Sequence, residues 1–415
     1  MTTLSSRPAS RTGAGRRALL LVLAGNMLID AMEVSVVLVA LPAMERDLGL
    51  SPLGSQWVMS GFAAGFAALL LLGPRLVARW GRRRVYLAAL PVFVAASVAG
   101  GLTGQSAVLI ATRVVKGMCA ALTAPTGLAI ISTTFRPGAG QRRAVSVYSL
   151  FGAAGFTAGL LCSGALTGLS WRWNPVLPAP VALLLLVAGF RLIPRDTAPA
   201  PAAPLGATLA RLLRNGPFRR SAVCAATLNG TYLGLLLLFV HEVHDRWGWS
   251  SWRTALAFLP ACLPLALTLP LAGRAVARFG TERLIRAGSR AALLGCATAL
   301  LTGAPGSYAT GVLPALLLVE AGFVLSFAAL NLQATAGIPA EHRGAAVPVY
   351  QTAVQLGAVL VLPSVAASLG AGRGGALVLL TAVSATGALV ACATRTRTRT
   401  RTRTRTTDTD TDTAS

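Results

Sequence analysis

Stretches of about twenty mostly apolar residues recur along this 415-residue chain, and they restrict its fold more than any other feature. A bilayer core offers no partner for a bare backbone amide. An uninterrupted apolar run of ~20 residues is therefore read as a membrane-crossing helix, whose backbone satisfies itself. The runs lie near 18–41, 55–73, 85–103, 107–134, 144–168, 175–194, 218–240, 254–273, 284–303, 308–337, 345–369 and 374–393, which predicts an all-α membrane protein of twelve transmembrane helices. With 54% hydrophobic and 12% charged residues and a mean hydropathy of +0.66, the chain is unlike an ordinary soluble domain. The first run carries acids and lacks a small-residue cleavage site, so it is expected to stay as a helix rather than leave as a signal peptide.

A formal net charge of +24 raises the question of nucleic acid, and the positions of the basic residues answer it. Arginines cluster before the first run and after the second, fourth, sixth, eighth and twelfth, while the alternate loops carry few. Cationic loops are retained on the cytoplasmic side. The alternation predicts an even number of helices, with both termini cytoplasmic and the protein in the inner (plasma) membrane. The charge then orients the chain in the bilayer, and no nucleic-acid partner is expected.

The runs divide into two pseudo-symmetric six-helix bundles, 18–194 and 218–393, after a cytoplasmic N-terminal segment 1–17 and joined by a cytoplasmic Pro/Ala-rich linker 195–217. "RLVARWGRRR" (75–84) in the first half resembles "RAVARFGTER" (274–283) in the second, as expected of a duplicated transporter plan. The end of the chain, 394–415, alternates Thr with Arg and then Asp and has nothing to build a core from, so it is expected to be disordered. Six cysteines fall in or beside apolar runs without metal-ligand spacing and read as core fillers.

Within the first run, "LIDAMEVSVVLVALP" (28–42) places Asp30 and Glu33 at i, i+3, with Asn26 four residues before Asp30, so all three share one helix face. A charge at bilayer centre costs at least ~2.5 kcal/mol even on insertion scales, so this face is expected to point into the bundle or a wet cavity and to meet partners.

The residues also resemble the drug:proton antiporter branch of the major facilitator superfamily. The likeness is carried by "DAMEVSVVLVALP" (30–42), "QWVMSGFAAGFAALLLLGPRLVARWGRRRV" (56–85), "RVVKGMCAAL" (113–122), "GFTAGLLCSGALTGLSWRWN" (155–174), "GWSSWRTALAFLP" (248–260) and "IPAEHRGAAVPVYQTAVQLG" (338–357), in order over nearly the whole chain. The pattern departs at Pro74, where the family usually has glycine, and at Ala78, where it has an aspartate of a gating relay; Ala277 occupies the equivalent place in the second half. Leu160 replaces a proline and Ser163 a glycine in the fifth-helix motif. Lys116, the only lysine, stands where glutamine is usual.

The resemblance implies that helices one and four are neighbours. At 1.5 Å rise per residue, Glu33 and Asp30 lie about 12 and 16 Å from one end of their helix, and Arg113 and Lys116 about 9 and 14 Å from the same side in theirs. A network joining Asp30, Glu33, Arg113 and Lys116 is therefore expected, with proton coupling as its role and a permanent packing cluster as the alternative. Arg79, Gly81, Arg82 and Arg83 are expected to form the gating loop. Asn26, Asn229, Tyr232, Glu320, Asn331, Gln351 and Gln355 are expected to line the substrate cavity, although such polar groups also serve simply to join helices. Gly152, Gly155 and Gly159 suggest close helix approach or a flexing gate.

His241, Glu242, His244 and Asp245 read as a solvated helix end rather than a metal site. No P-loop, dinucleotide fingerprint or zinc-protease motif is present, so neither an enzyme nor a cofactor is expected. The sequence thus points to a secondary transporter, functional as a monomer, whose partners are protons, an unidentified small organic substrate and the lipid bilayer. The expected activity is proton-coupled efflux by alternating access. Uptake or facilitated diffusion without antiport, and a membrane sensor built on a transporter fold, remain the alternatives.

Overall fold

The computed structural model describes residues 13–135, 138–194, 205–303, 306–336, 338, 340–369 and 372–393. Most of the N-terminal segment, the first part of the linker and the Thr/Arg/Asp tail lie outside the described residues.

The chain is helical at every apolar run. It begins with α1 (Gly13–Leu48) and α2 (Pro52–Leu70), followed by a short α3 (Gly73–Trp80) and α4 (Arg82–Leu102). Next come α5 (Ser106–Thr134), α6 (Ala139–Thr167), a single turn α7 (Trp173–Val176) and α8 (Pro178–Leu192). The linker ends in α9 (Leu205–Arg214), and the second set opens with α10 (Gly216–Trp247), α11 (Ser251–Phe279) and α12 (Thr281–Leu301). A turn α13 (Tyr308–Gly311) precedes α14 (Leu313–Thr335), and α15 (Ala340–Leu369) and α16 (Arg373–Cys392) complete the order. Among the described residues, eleven helices are long and apolar enough to cross a membrane, and the remaining predicted run, 254–273, lies within the 29-residue α11. Twelve spans are therefore accommodated.

The helices outrun the apolar stretches where polar residues continue the turn. α10 carries on through His241–Asp245 to Trp247. The tenth run instead breaks at Val312, because Pro314 supplies no N–H to a preceding turn and is tolerated at a helix start.

The chain divides into two compact units, one of residues 1–203 with 240–270 and the other of 204–239 with 271–415. In the first, α1 packs along α6, and α2 along α5. The small residues of α6 set the α1 contact: a Cβ on Gly155 would run into the Leu28 carbonyl, and one on Gly159 into Ser35. Close packing thus accounts for these glycines. Ser163, the departure noted above, belongs to the same seam, where its hydroxyl donates to the Val36 carbonyl at 2.6 Å. Ile29, Tyr86, Phe93, Cys119, Tyr148 and Leu185 contribute to one buried cluster drawn from α1, α4, α5, α6 and α8. In the second unit, α12 packs along α14, as α4 packs along α5 in the first.

The internal repeat has a backbone counterpart. Gly81, between α3 and α4, has φ 85° and ψ 152°; Gly280, between α11 and α12, has φ 78° and ψ 154°. The two positions share a left-handed φ that a side chain rarely adopts, so the same residue is required in both copies of the motif. No other residue type could close the two turns in this way without strain.

Candidate functional site

Glu33 lies on the buried length of α1 and is 1% exposed; Arg113 and Lys116, one turn apart on α5, are 3% and 1% exposed. The spacing of three residues on α5 brings both cations to one face. Arg113 pairs through Nη1 with Glu33 Oε2, and its Nη2 donates to the Glu33 carbonyl at 2.8 Å. Lys116 Nζ stands 2.5 Å from Glu33 Oε1. Each carboxylate oxygen therefore takes one cation.

Both bases also donate to backbone carbonyls of other helices. Arg113 Nε donates to the Val58 carbonyl of α2 at 2.9 Å, and Lys116 Nζ to the Pro175 carbonyl of α7 at 3.0 Å. The guanidinium lies 5.2 Å from the Phe62 ring centroid and the ammonium 5.1 Å from that of Phe93. Three ionisable side chains thus join α1, α2, α5 and α7, with aromatic faces completing the shell of each cation. Buried charges persist when paired and hydrogen-bonded to this degree.

Asp30 does not join that network. It is 8% exposed and accepts a hydrogen bond from Asn26 Nδ2 at 2.9 Å, one turn back on the same helix. Of the four residues expected to form one network, Glu33, Arg113 and Lys116 are joined by ion pairs, and Asp30 stands beside them without one. The reason is local: Lys116 completes its coordination on the Pro175 carbonyl, and Asn26, at i−4, is already aligned with Asp30. Besides Glu33 on its own helix, Asp30 interacts electrostatically with Tyr86 of α4, Cys119 of α5 and Tyr148 of α6. The Tyr148 hydroxyl donates to the Ala124 carbonyl at 3.1 Å, while the buried Tyr86 hydroxyl has no hydrogen-bond partner.

The residues predicted for a cavity in the second half lie on α10, α14 and α15. Glu320 of α14 is 1% exposed. Tyr232 of α10 stacks near Phe323 with centroids 5.0 Å apart, and Phe323 stacks on Phe327 at 4.9 Å. Asn331 Nδ2 donates to the Phe327 carbonyl at 2.8 Å, and Gln351 of α15 donates to Asn331 Oδ1 at 3.5 Å. Asn229 Nδ2 donates to the Val354 carbonyl at 3.0 Å, and Gln355 is half-buried on α15. Asn229 and Asn331 therefore tie α10 and α14 to α15.

In the loop predicted to gate, Arg79 is exposed at the end of α3, Gly81 makes the turn, and Arg82 is half-buried. Arg83 Nη2 donates to the Phe190 carbonyl at the end of α8 at 2.5 Å.

Sequence reasoning missed two tethers at the far end of α1. Asp47 accepts from Trp171 Nε1 and Arg172 Nη1, each at 2.8 Å, which gives the Trp-Arg-Trp segment a local purpose. His241 Nε2 lies 2.9 Å from Glu45 Oε1 and His244 Nδ1 3.2 Å from the Trp249 carbonyl, so the histidine pair is engaged rather than simply solvated. No one-dimensional pattern links these positions. Among the described residues, no group of three or more His, Cys, Asp or Glu is placed to hold a metal ion.

Comparison with known proteins places this arrangement in context. A family model described as Major Facilitator Superfamily matches residues 23–362. The puromycin resistance protein pur8 of Streptomyces alboniger is 32% identical over 400 residues, covering 82% of this chain and 79% of that protein. The lincomycin resistance protein of Streptomyces lincolnensis is 30% identical over 431 residues, covering 86% of each. Among solved structures, a bacterial homologue of the human lysosomal transporter Spinster, in an inward-facing and occupied conformation, matches with a TM-score of 0.74 at 18% identity, over 92% of this chain and 96% of that one. That likeness is one of fold.

Proposed function

The chain belongs to the major facilitator superfamily, whose members are transporters, and from that premise we propose that it exports small organic molecules in exchange for protons by alternating access. Relatives that are resistance proteins for puromycin and lincomycin support the outward direction and the small organic cargo. The distribution of arginines supports a plasma-membrane location with both termini cytoplasmic. The working unit is a monomer.

The observation that carries the coupling is the unequal treatment of two neighbouring buried acids. Glu33 is held by both Arg113 and Lys116, and losing its charge would break two ion pairs. Among the described residues, Asp30 has one amide donor and no ion pair with a cation, so it can bind and release a proton without breaking one. With all four groups ionised, their charges cancel. Protonation of the Asp30 carboxylate adds one positive charge to a site tied to α1, α2, α5 and α7. A ligand shifts a conformational equilibrium by its differential affinity for the two states. The proton acts as such a ligand: the state that leaves this added charge better solvated is favoured while Asp30 is protonated, and the other state when the proton leaves. The roles follow: Asp30 carries the proton, Glu33 and Arg113 hold the helices, and Lys116 reports the change to α7.

The test uses everted membrane vesicles and a pH-sensitive dye. Asp30→Asn is expected to abolish substrate-induced proton efflux while leaving substrate exchange without a gradient. Full proton-coupled transport by Asp30→Asn would overturn the scheme.

A further inference from the structure

α8 divides its side chains between two faces. Ala182, Leu185 and Gly189 are buried on one, where a Cβ on Gly25 of α1 would strike Leu185 and a Cβ on Gly189 would meet Leu87 of α4 at 3.0 Å. On the other, Leu183, Leu184, Val187 and Phe190 are each more than half exposed, the densest such group among the described residues. An open hollow of about 780 Å³ lies along this outer face, bordered by Pro180, Leu183, Leu184, Val187 and Arg191. These five residues fall within an arc of about 100°, so they form one strip with Arg191 near its midline.

The strip has the length of one leaflet. From Pro180 to Arg191 it rises about 16 Å, close to half of a ~30 Å hydrocarbon core. Arg191 stands exposed in the last turn of α8, at the end where the chain leaves the membrane for the Arg-bearing linker. A second cation is held beside it, because Arg83 of α4 donates to the Phe190 carbonyl. Neither α4 nor α8 contains an acidic residue, so neither helix supplies a counter-charge.

We propose that this strip holds one anionic phospholipid of the inner leaflet, its phosphate on Arg191 and one acyl chain along Leu184 and Val187. The assignment rests on the cytoplasmic placement of the linker proposed above and is independent of proton coupling. A guanidinium takes a phosphodiester through paired N–H donors. A headgroup with no cation of its own keeps the net charge that Arg191 and Arg83 attract. A second copy of the chain is the other occupant such a face could take, and the strip is ill suited to it. Two copies inserted in the same sense about a twofold axis would set their Arg191 side chains at one depth, facing each other. Close helix pairing in a bilayer also relies on small residues, and here Ala182 and Gly189 are turned inward.

The experiment is native mass spectrometry of the full-length protein in detergent, titrated with dioleoylphosphatidylglycerol and, separately, with dioleoylphosphatidylcholine. The first equivalent of phosphatidylglycerol should bind the wild type at least ~5-fold more tightly than phosphatidylcholine, the contribution of about one arginine at a membrane surface. Arg191→Gln should remove most of that preference, and Arg191→Lys should keep most of it. Leu184→Gln, in the apolar part of the strip, should weaken both lipids several-fold. Arg278→Gln, which alters an exposed arginine of the second unit, should bind both as the wild type does. The proposal fails if the wild type shows no preference for phosphatidylglycerol, or if Arg191→Gln retains it. It fails equally if Arg278→Gln loses as much, which would reduce the effect to overall charge. A dimer in the spectrum that Leu184→Gln dissociates would give the face to a second copy and overturn the lipid assignment. None of these failures touches the coupling scheme, which Asp30→Asn tests separately.

Discussion

Glu33 and Glu320 are buried to the same degree, each 1% exposed on a membrane-spanning helix, yet the protein surrounds them in opposite ways. Glu33 receives one cation on each oxygen, and those cations also donate to the carbonyls of Val58 and Pro175. Glu320 meets no cation among the described residues; it has Tyr232 and the rings that follow it. The difference teaches that burial alone does not assign a role to a membrane acid. A carboxylate whose partners are built in is part of the frame, and one without them is available to something that comes and goes. Asp30 falls between the two, with an amide donor but no cation.

The comparison can be broken most severely at the frame. Arg113→Ala strips one of the two cations from Glu33 and leaves its buried Oε2 without a partner, so it should destabilise the protein by about 3–5 kcal/mol, measured by thermal unfolding in detergent. A smaller loss than Glu320→Gln shows would refute the distinction drawn between the sites. Combining Arg113→Ala and Lys116→Leu with Glu33→Leu should recover part of that loss, because removing all three charges is cheaper than orphaning one. Strict additivity of the three losses would show that the groups are not coupled. Tyr148→Phe removes a hydrogen bond to the Ala124 carbonyl and should cost about 0.6 kcal/mol, whereas Tyr86→Phe, which removes a hydroxyl with no partner, should cost less. An equal loss in both would mean that the Tyr86 hydroxyl is satisfied after all. At the small end, Glu320→Gln should leave the melting temperature unchanged or raise it, since it removes an unpaired charge and breaks no ion pair. A pronounced drop would make Glu320 a structural residue and align it with Glu33.

Much of this was legible in one dimension. The apolar runs placed the helices, whose ends overrun them by as many as seven residues, because a bilayer penalises any unpaired backbone and so ties span to composition. The Arg/Gly motif after the second run and its echo after the eighth announced a repeat, and Gly81 and Gly280 adopt matching dihedrals. Matching depths brought Arg113 and Lys116 to the level of Glu33, since rise per residue is fixed even when rotation is not.

Pairing at that level was not legible. Whether Lys116 reached Asp30 or Glu33 depended on how α1 and α5 are rotated about their axes and on the Pro175 carbonyl offered by α7. Similarly, nothing in the spacing of Asp47 and Trp171, or of Glu45 and His241, signalled their contacts, because each joins residues more than a hundred positions apart.

The sequence by itself determined which segments enter the membrane, where the chain is duplicated and that some acids must face inward, because those outcomes follow from transfer free energy and backbone satisfaction, which are properties of a segment. Only the tertiary structure decided which acid is locked and which is left open. A side-chain ion pair forms over a few ångströms, and that distance is set by helix rotation, rotamer and the carbonyls of a third helix, none of which a single segment carries.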